Sequence, residues 1–221
     1  MPPKNIQEWF QQEWNSGRLT RPQDALARLL QNPEGFIRKH PIVNTFDCAA
    51  HGQTRAYIRN DSADAHRPGS VLGTLRLHKT ESFNIEMISG ANANGHAFPV
   101  HGVYTSLSGG GPVWYTLDGS GPAIMLTAKL TGCTFIATGG TGNAVLVTHL
   151  QPQQGLETGL QLNTRMKNVG STYGQLRYDL DTRSINVIGV RSANVWSIWA
   201  QKLVKNSTPP QILSVHKIWP A

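Results

Sequence analysis

The period of the apolar residues changes near Pro41, which limits the chain to a short helical start followed by a long strand-rich body. Before that point Ile6, Trp9, Phe10 and Trp14 recur at helical spacing, and Gly17 ends the run. Thr20-Arg-Pro-Gln23 predicts a second helix, with Thr20 as its cap and Pro22 in its first turn. Leu26, Leu29 and Leu30 form its apolar face, and Asn32-Pro33 is expected to stop it. Beyond Pro41, short β-branched and aromatic runs alternate at period two. They predict strands over 55–59, 71–78, 83–88, 100–105, 113–117, 123–130, 133–137, 144–150, 176–180, 184–191 and 195–203, with 212–219 as a last edge strand. Turn clusters such as Ser108-Gly-Gly-Gly-Pro112 and Asp118-Gly-Ser-Gly-Pro122 separate them. The expected fold class is α+β: a β-sandwich or distorted mixed-sheet barrel flanked by helices. An N-terminal helical segment over 1–40 would precede a strand-rich domain over 41–221.

Composition narrows the function classes. The 221 residues can bury a proper core. The net charge is +7, yet the basic residues are scattered and never form a dense Lys/Arg block, so no nucleic-acid partner is expected. The N-terminus lacks an apolar stretch and no apolar run approaches membrane-spanning length. Neither a secretory signal peptide nor a membrane partner is therefore expected. Two cysteines, Cys48 and Cys133, make no disulfide framework, although one Cys48–Cys133 bridge remains an alternative role for Cys133.

The segment 123–150 carries the chemistry. Cys133 opens one strand, Thr138-Gly-Gly-Thr-Gly-Asn143 links it to the next, and His149 lies near that strand's end. A link centred on Thr141 would pair 137 with 145, 135 with 147 and 133 with 149. Opposed residues have Cβ atoms roughly 5 Å apart on one face, close enough for a thiol and an imidazole to share a proton. The expected device is a thiolate–imidazolium pair, with Gly132 giving a substrate carbonyl access and the neighbouring amides holding an oxyanion. A third group usually orients the imidazole; Asn143 and Thr127 (by its hydroxyl or its carbonyl) are the candidates in reach.

Thr127-Ala-Lys-Leu-Thr-Gly-Cys133, with a histidine sixteen residues later, resembles the glutamine-deamidase group: the catalytic domain of the cytotoxic necrotizing factors, Burkholderia lethal factor and the chemotaxis receptor deamidase CheD. The resemblance covers some twenty-five residues. It implies Cys133 as nucleophile, His149 as base and Thr127 as the orienting group, with Thr131 standing where the toxins usually carry serine. It also implies a protein substrate bearing a target glutamine, such as a host Rho-type GTPase or translation factor. The setting it implies is a bacterial effector, held in the bacterial cytoplasm before export and then secreted into the host cytosol.

Other readings have less behind them. Thr138-Gly-Gly-Thr-Gly-Asn143 resembles a dinucleotide loop, but a β-branched run follows it instead of the helix that would face a pyrophosphate. No cofactor and no metal are expected: neither cysteine belongs to a C-x-x-C pair, and His96 and His101 lack further ligands at metal spacing. A transglutaminase or cysteine protease with the same dyad, and a non-catalytic β-rich binding module, are the alternatives. The residues leave the oligomeric state open.

Overall fold

The computed structural model describes residues 20–60, 81–87, 95–178, 183–204, 207 and 209–220. The expected first helix around Ile6 to Trp14 and the strand over 71–78 lie outside them. The protein is α+β. Two helices, α1 (Pro22–Gln31) and α2 (Pro33–Lys39), lead into β1 (Ile42–Asn44), β2 (Gly52–Asn60), β3 (Phe83–Met87) and β4 (Gly95–Val103). Then come β5 (Thr105–Leu107), β6 (Tyr115–Leu117), β7 (Ile124–Thr127), β8 (Thr134–Gly139) and β9 (Val145–Gln151). Helix α3 (Gly159–Met166) precedes β10 (Ser171–Tyr173), β11 (Arg183–Ser192), β12 (Val195–Val204) and β13 (Ile212–Trp219).

An eight-stranded mixed sheet runs β1-β3-β2-β4-β7-β11-β12-β13, so the last strand is an edge, as expected. A second sheet runs β10-β8-β9-β5, with β6 also pairing β9. The central strands β7 and β11 are buried on both faces, which explains their near-continuous apolar runs. In β7, Ile124 and Leu126 join Ala25, Leu29, Phe36 and Ile37 of the helices in one core. Met125 points the other way and meets Phe135, Ala137 and Val147 of the second sheet in another. Each such large side chain contributes about 1.5–3 kcal/mol on burial. Period-two alternation then sends Thr127 toward the second sheet, where β9 carries His149.

Buried amides tie the helical segment to the sheet. Gln201 accepts from Ile42 N at 2.7 Å and donates to the carbonyls of Ile37 at 2.6 Å and His40 at 2.8 Å. Residues 20–40 therefore share one core with the strands.

Local corrections follow from side-chain chemistry. Thr20 caps nothing: its amide and hydroxyl bond Glu81 at 2.7 and 2.6 Å, and Arg21 precedes α1 without a side-chain cap. Asn32-Pro33 ends α1 but also starts α2, because the Asn32 carboxamide accepts from Gly35 N and Pro33 suits the first turn. The start of the expected strand 176–180 gives way to a 3-10 turn over Gln175–Arg177, held by Arg177 N to Gly174 O and Leu176 N to the Asn163 side chain, while 179–180 lie outside the described residues. The β8–β9 hairpin forms, but with Phe135, not Cys133, opposite His149. Its link closes on Gly140 N to Ala144 O, with Gly142 at φ +64°, which moves the pairing by two residues.

Candidate active site

Three elements converge at one end of the sheet-on-sheet interface. Parallel pairing of β4 with β7 sets Val103 beside Thr127. Parallel pairing of β5 with β9 sets Thr105 beside His149. The Thr131-Gly132-Cys133 loop leads from β7 into β8. An open cleft of about 610 Å³ lies over them, lined by Cys133, His149, Thr105, Tyr104, Lys129 and Cys48 among others.

Hydrogen bonds fix the tautomer of His149. The Thr127 hydroxyl donates its single proton to Val103 O at 2.7 Å. Its oxygen therefore accepts from His149 Nδ1, 2.6 Å away. Thr105 Oγ1 is a second oxygen at 3.0 Å from the same nitrogen. The Thr127 carbonyl is occupied separately, accepting from Asn44 Nδ2 at 2.8 Å, so it is the hydroxyl that meets the imidazole. With Nδ1 protonated, Nε2 carries the lone pair. That atom is buried and has no hydrogen-bond partner. A buried unpartnered acceptor costs about 1–3 kcal/mol, which suits an atom reserved for a reaction.

Of the expected residues, Thr127 and His149 are in direct contact, while Cys133 and His149 line the same cleft with no hydrogen bond between them. Asn143 is exposed in the hairpin turn, six residues from His149 along the chain, and takes no part. Both cysteines are free and buried, so no Cys48–Cys133 bridge forms. Among the described residues no three His, Cys, Asp or Glu side chains gather as metal ligands, and no helix is long and apolar enough to cross a membrane.

The electrostatics revise the expected ion pair. Burial lowers His149 to about 3 and pushes the Cys133 thiol up, with the Thr131 backbone acting weakly the other way. Both groups rest neutral at pH 7, so no resting thiolate–imidazolium pair forms. Cys48 is raised to about 11 by burial and by Asp47 beside it.

A stability consequence follows. The unfolded imidazole takes a proton below its ordinary 6.5, while folded His149 stays neutral down to about 3. Stability is therefore lost as pH falls through that window, at about 1.4 kcal/mol per pH unit from this residue. His40, His51, His101 and His216 are also lowered by burial and act with the same sign. Urea unfolding should give a lower free energy at pH 5 than at pH 7, with a shallower slope in His149→Gln. Equal stabilities at the two pH values would contradict a buried neutral His149.

Three contributors were out of reach of sequence reasoning. Thr105 and Val103 arrive through short parallel pairings with partners 44 and 24 residues away. Tyr178 reaches the Cys133 loop from 45 residues away: Gly132 N donates to its hydroxyl at 3.2 Å, and that hydroxyl donates to Cys133 O at 2.6 Å. Gly132 N–H is thereby removed from the candidate oxyanion donors.

No protein-family model matches the chain, and no curated protein is found to be similar to it.

Proposed function

We propose that the protein is a thiol-dependent amidohydrolase that converts the side chain of a glutamine in a protein substrate to glutamate. The observation that carries this reading is the 2.6 Å contact of Thr127 Oγ1 with His149 Nδ1, which leaves Nε2 unpartnered beside the cleft that Cys133 also lines. That arrangement suits a general base for a thiol.

In the first half-reaction Nε2 takes the Cys133 proton as Sγ bonds to the glutamine carboxamide carbon. The carbonyl π pair moves onto oxygen, where the Cys133 amide is a candidate backbone donor of the loop. Collapse breaks the C–N bond, and the imidazolium gives its proton to the departing nitrogen, which leaves as ammonia. In the second half, Nε2 takes a proton from water as the oxygen attacks the thioester. The carbon–sulfur bond then breaks, and the imidazolium returns the proton to sulfur. One amide and one water yield one carboxylic acid and one ammonia. The imidazolium exists only transiently, so its burial does not oppose the resting state.

The open cleft suits a side chain presented on a protein surface more than an enclosed metabolite. By the deamidase resemblance the substrate would be a host GTPase or translation factor, met after secretion into the host cytosol. The test is peptide mass spectrometry on host lysate treated with the wild type or with Cys133→Ala. A glutamine-to-glutamate change at a single site, present only with the wild type, is expected. Chain cleavage would make the enzyme a protease, an amine adduct a transglutaminase, and no covalent change at all would overturn the reading.

Thr127→Val removes the oxygen while keeping the side-chain shape. It should lower kcat by about 10- to 100-fold with little change in KM, because an orienting group fixes the tautomer without touching substrate. The loss is partial because Thr105 Oγ1 remains 3.0 Å from Nδ1. Unchanged steady-state kinetics in this variant would remove Thr127 from the mechanism.

A further inference from the structure

We infer that Tyr178 is a positioning residue for the nucleophile, clamping the Gly132–Cys133 peptide so that the Cys133 N–H is held for an oxyanion; this rests on the thiol chemistry proposed above. The hydroxyl has one proton and Cys133 O can only accept, so the direction of both bonds is settled: Tyr178 donates at 2.6 Å and accepts from Gly132 N at 3.2 Å. These two bonds bracket the peptide that joins Gly132 to Cys133. Gly132 sits at φ +105°, a conformation that L side chains rarely adopt, and the bracket holds it there.

The far side of the same peptide is also fixed. A Cβ added at Gly159, the first residue of α3, would collide with Gly132 O. The Gly132 carbonyl therefore faces the start of α3. In a trans peptide the C=O and N–H point in opposite directions, so the Cys133 N–H is turned away from α3. The amide of a nucleophile's own residue is a common oxyanion donor, because an acyl group on Sγ brings its carbonyl oxygen close to it.

Tyr178 is itself held firmly. It is buried, stacks on Tyr173 at 6.2 Å between centroids and 19° between planes, and follows the turn anchored by Asn163. Removing the hydroxyl alone therefore leaves the ring in place.

The test compares wild type, Tyr178→Phe and Tyr173→Phe with two thiol reagents and one readout that needs no chemistry. p-Nitrophenyl acetate acylates Cys133 through an oxyanion; iodoacetamide alkylates it by displacement at a saturated carbon, with none. Tyr178→Phe should slow acylation about 10- to 100-fold and alkylation far less, since one oxyanion donor is misplaced but the thiol is not lost. Amide hydrogen exchange in the 131–134 loop should speed up in that variant, and Tyr173→Phe should match wild type throughout. Equal slowing of both reagents would reduce Tyr178 to a structural prop and overturn the inference. So would unchanged acylation, or unchanged exchange in the loop. A wild type whose Cys133 reacts with neither reagent would sink the thiol reading itself and the clamp's catalytic role with it. Failure confined to Tyr178→Phe leaves that reading standing.

Discussion

Cys133→Ala should abolish turnover, by on the order of 10⁴-fold or more, while the melting temperature stays close to that of the parent protein. The substitution keeps Cβ and removes one sulfur from a loop residue that is 5% exposed at the cleft, so little packing is lost. His149→Ala should remove activity to a similar degree, because among the described residues no other group on the cleft wall offers a buried unpartnered nitrogen within the Thr127 hydrogen-bond system. The two losses should not add: with the nucleophile gone the base has no proton to take, so the double variant should fall no further than either single one. Cys48→Ala supplies the control. Cys48 borders the same cleft, but its thiol is pushed up to about 11 and it lacks an imidazole partner among its hydrogen bonds. Steady-state kinetics of the four variants decide the matter. Activity surviving in Cys133→Ala but lost in Cys48→Ala would move the nucleophile to Cys48.

The hairpin carrying Cys133 and His149 was legible because its two strands are adjacent in the chain and separated by a glycine-rich link. The register was not. Strand β8 extends through Gly139, and the turn closes between Gly140 and Ala144, one residue later than a link centred on Thr141 would give, which moves each pairing partner by two. Side chains repeat at period two, so a shift of two residues keeps every residue on its face. Cys133 and His149 consequently share a cleft although Cys133 lies outside the ladder. The charge state was misjudged for a different reason. Spacing says which groups meet, but how much water is excluded depends on the large sheet closing over them through β4 and β7, and that burial holds His149 neutral. Leu176 and Tyr178 alternate with polar residues, a pattern that predicts strand where a 3-10 turn precedes Tyr178. The Asn163 side chain that bends the backbone there comes from α3, a helix the period did not reveal.

Gly159→Ala is expected to damage both stability and turnover, against the intrinsic preference of the site. Gly159 begins α3 behind the Thr158 cap, and no left-handed φ is recorded there, so alanine should favour the helix by up to about 1 kcal/mol. The added methyl would instead collide with the Gln175 side chain and with Gly132 O. The glutamine can swing aside. The carbonyl cannot move without turning Gly132, whose amide is held by Tyr178. The net result should be destabilisation of about 1–3 kcal/mol from overpacking. A shift of the nucleophile loop by about 1 Å would lower kcat on the order of 10²-fold. Thr158→Ala separates the two effects. It removes the capping box, in which Gln161 N donates to Thr158 Oγ1 at 3.2 Å and Thr158 N donates to Gln161 Oε1 at 2.8 Å. That should cost about 1 kcal/mol of stability through the same helix while leaving Gly132 untouched. Denaturant midpoints and kcat measured together should show both quantities falling for Gly159→Ala and only stability falling for Thr158→Ala. If kcat tracks stability identically in the two variants, the start of α3 is not what seats the Cys133 loop.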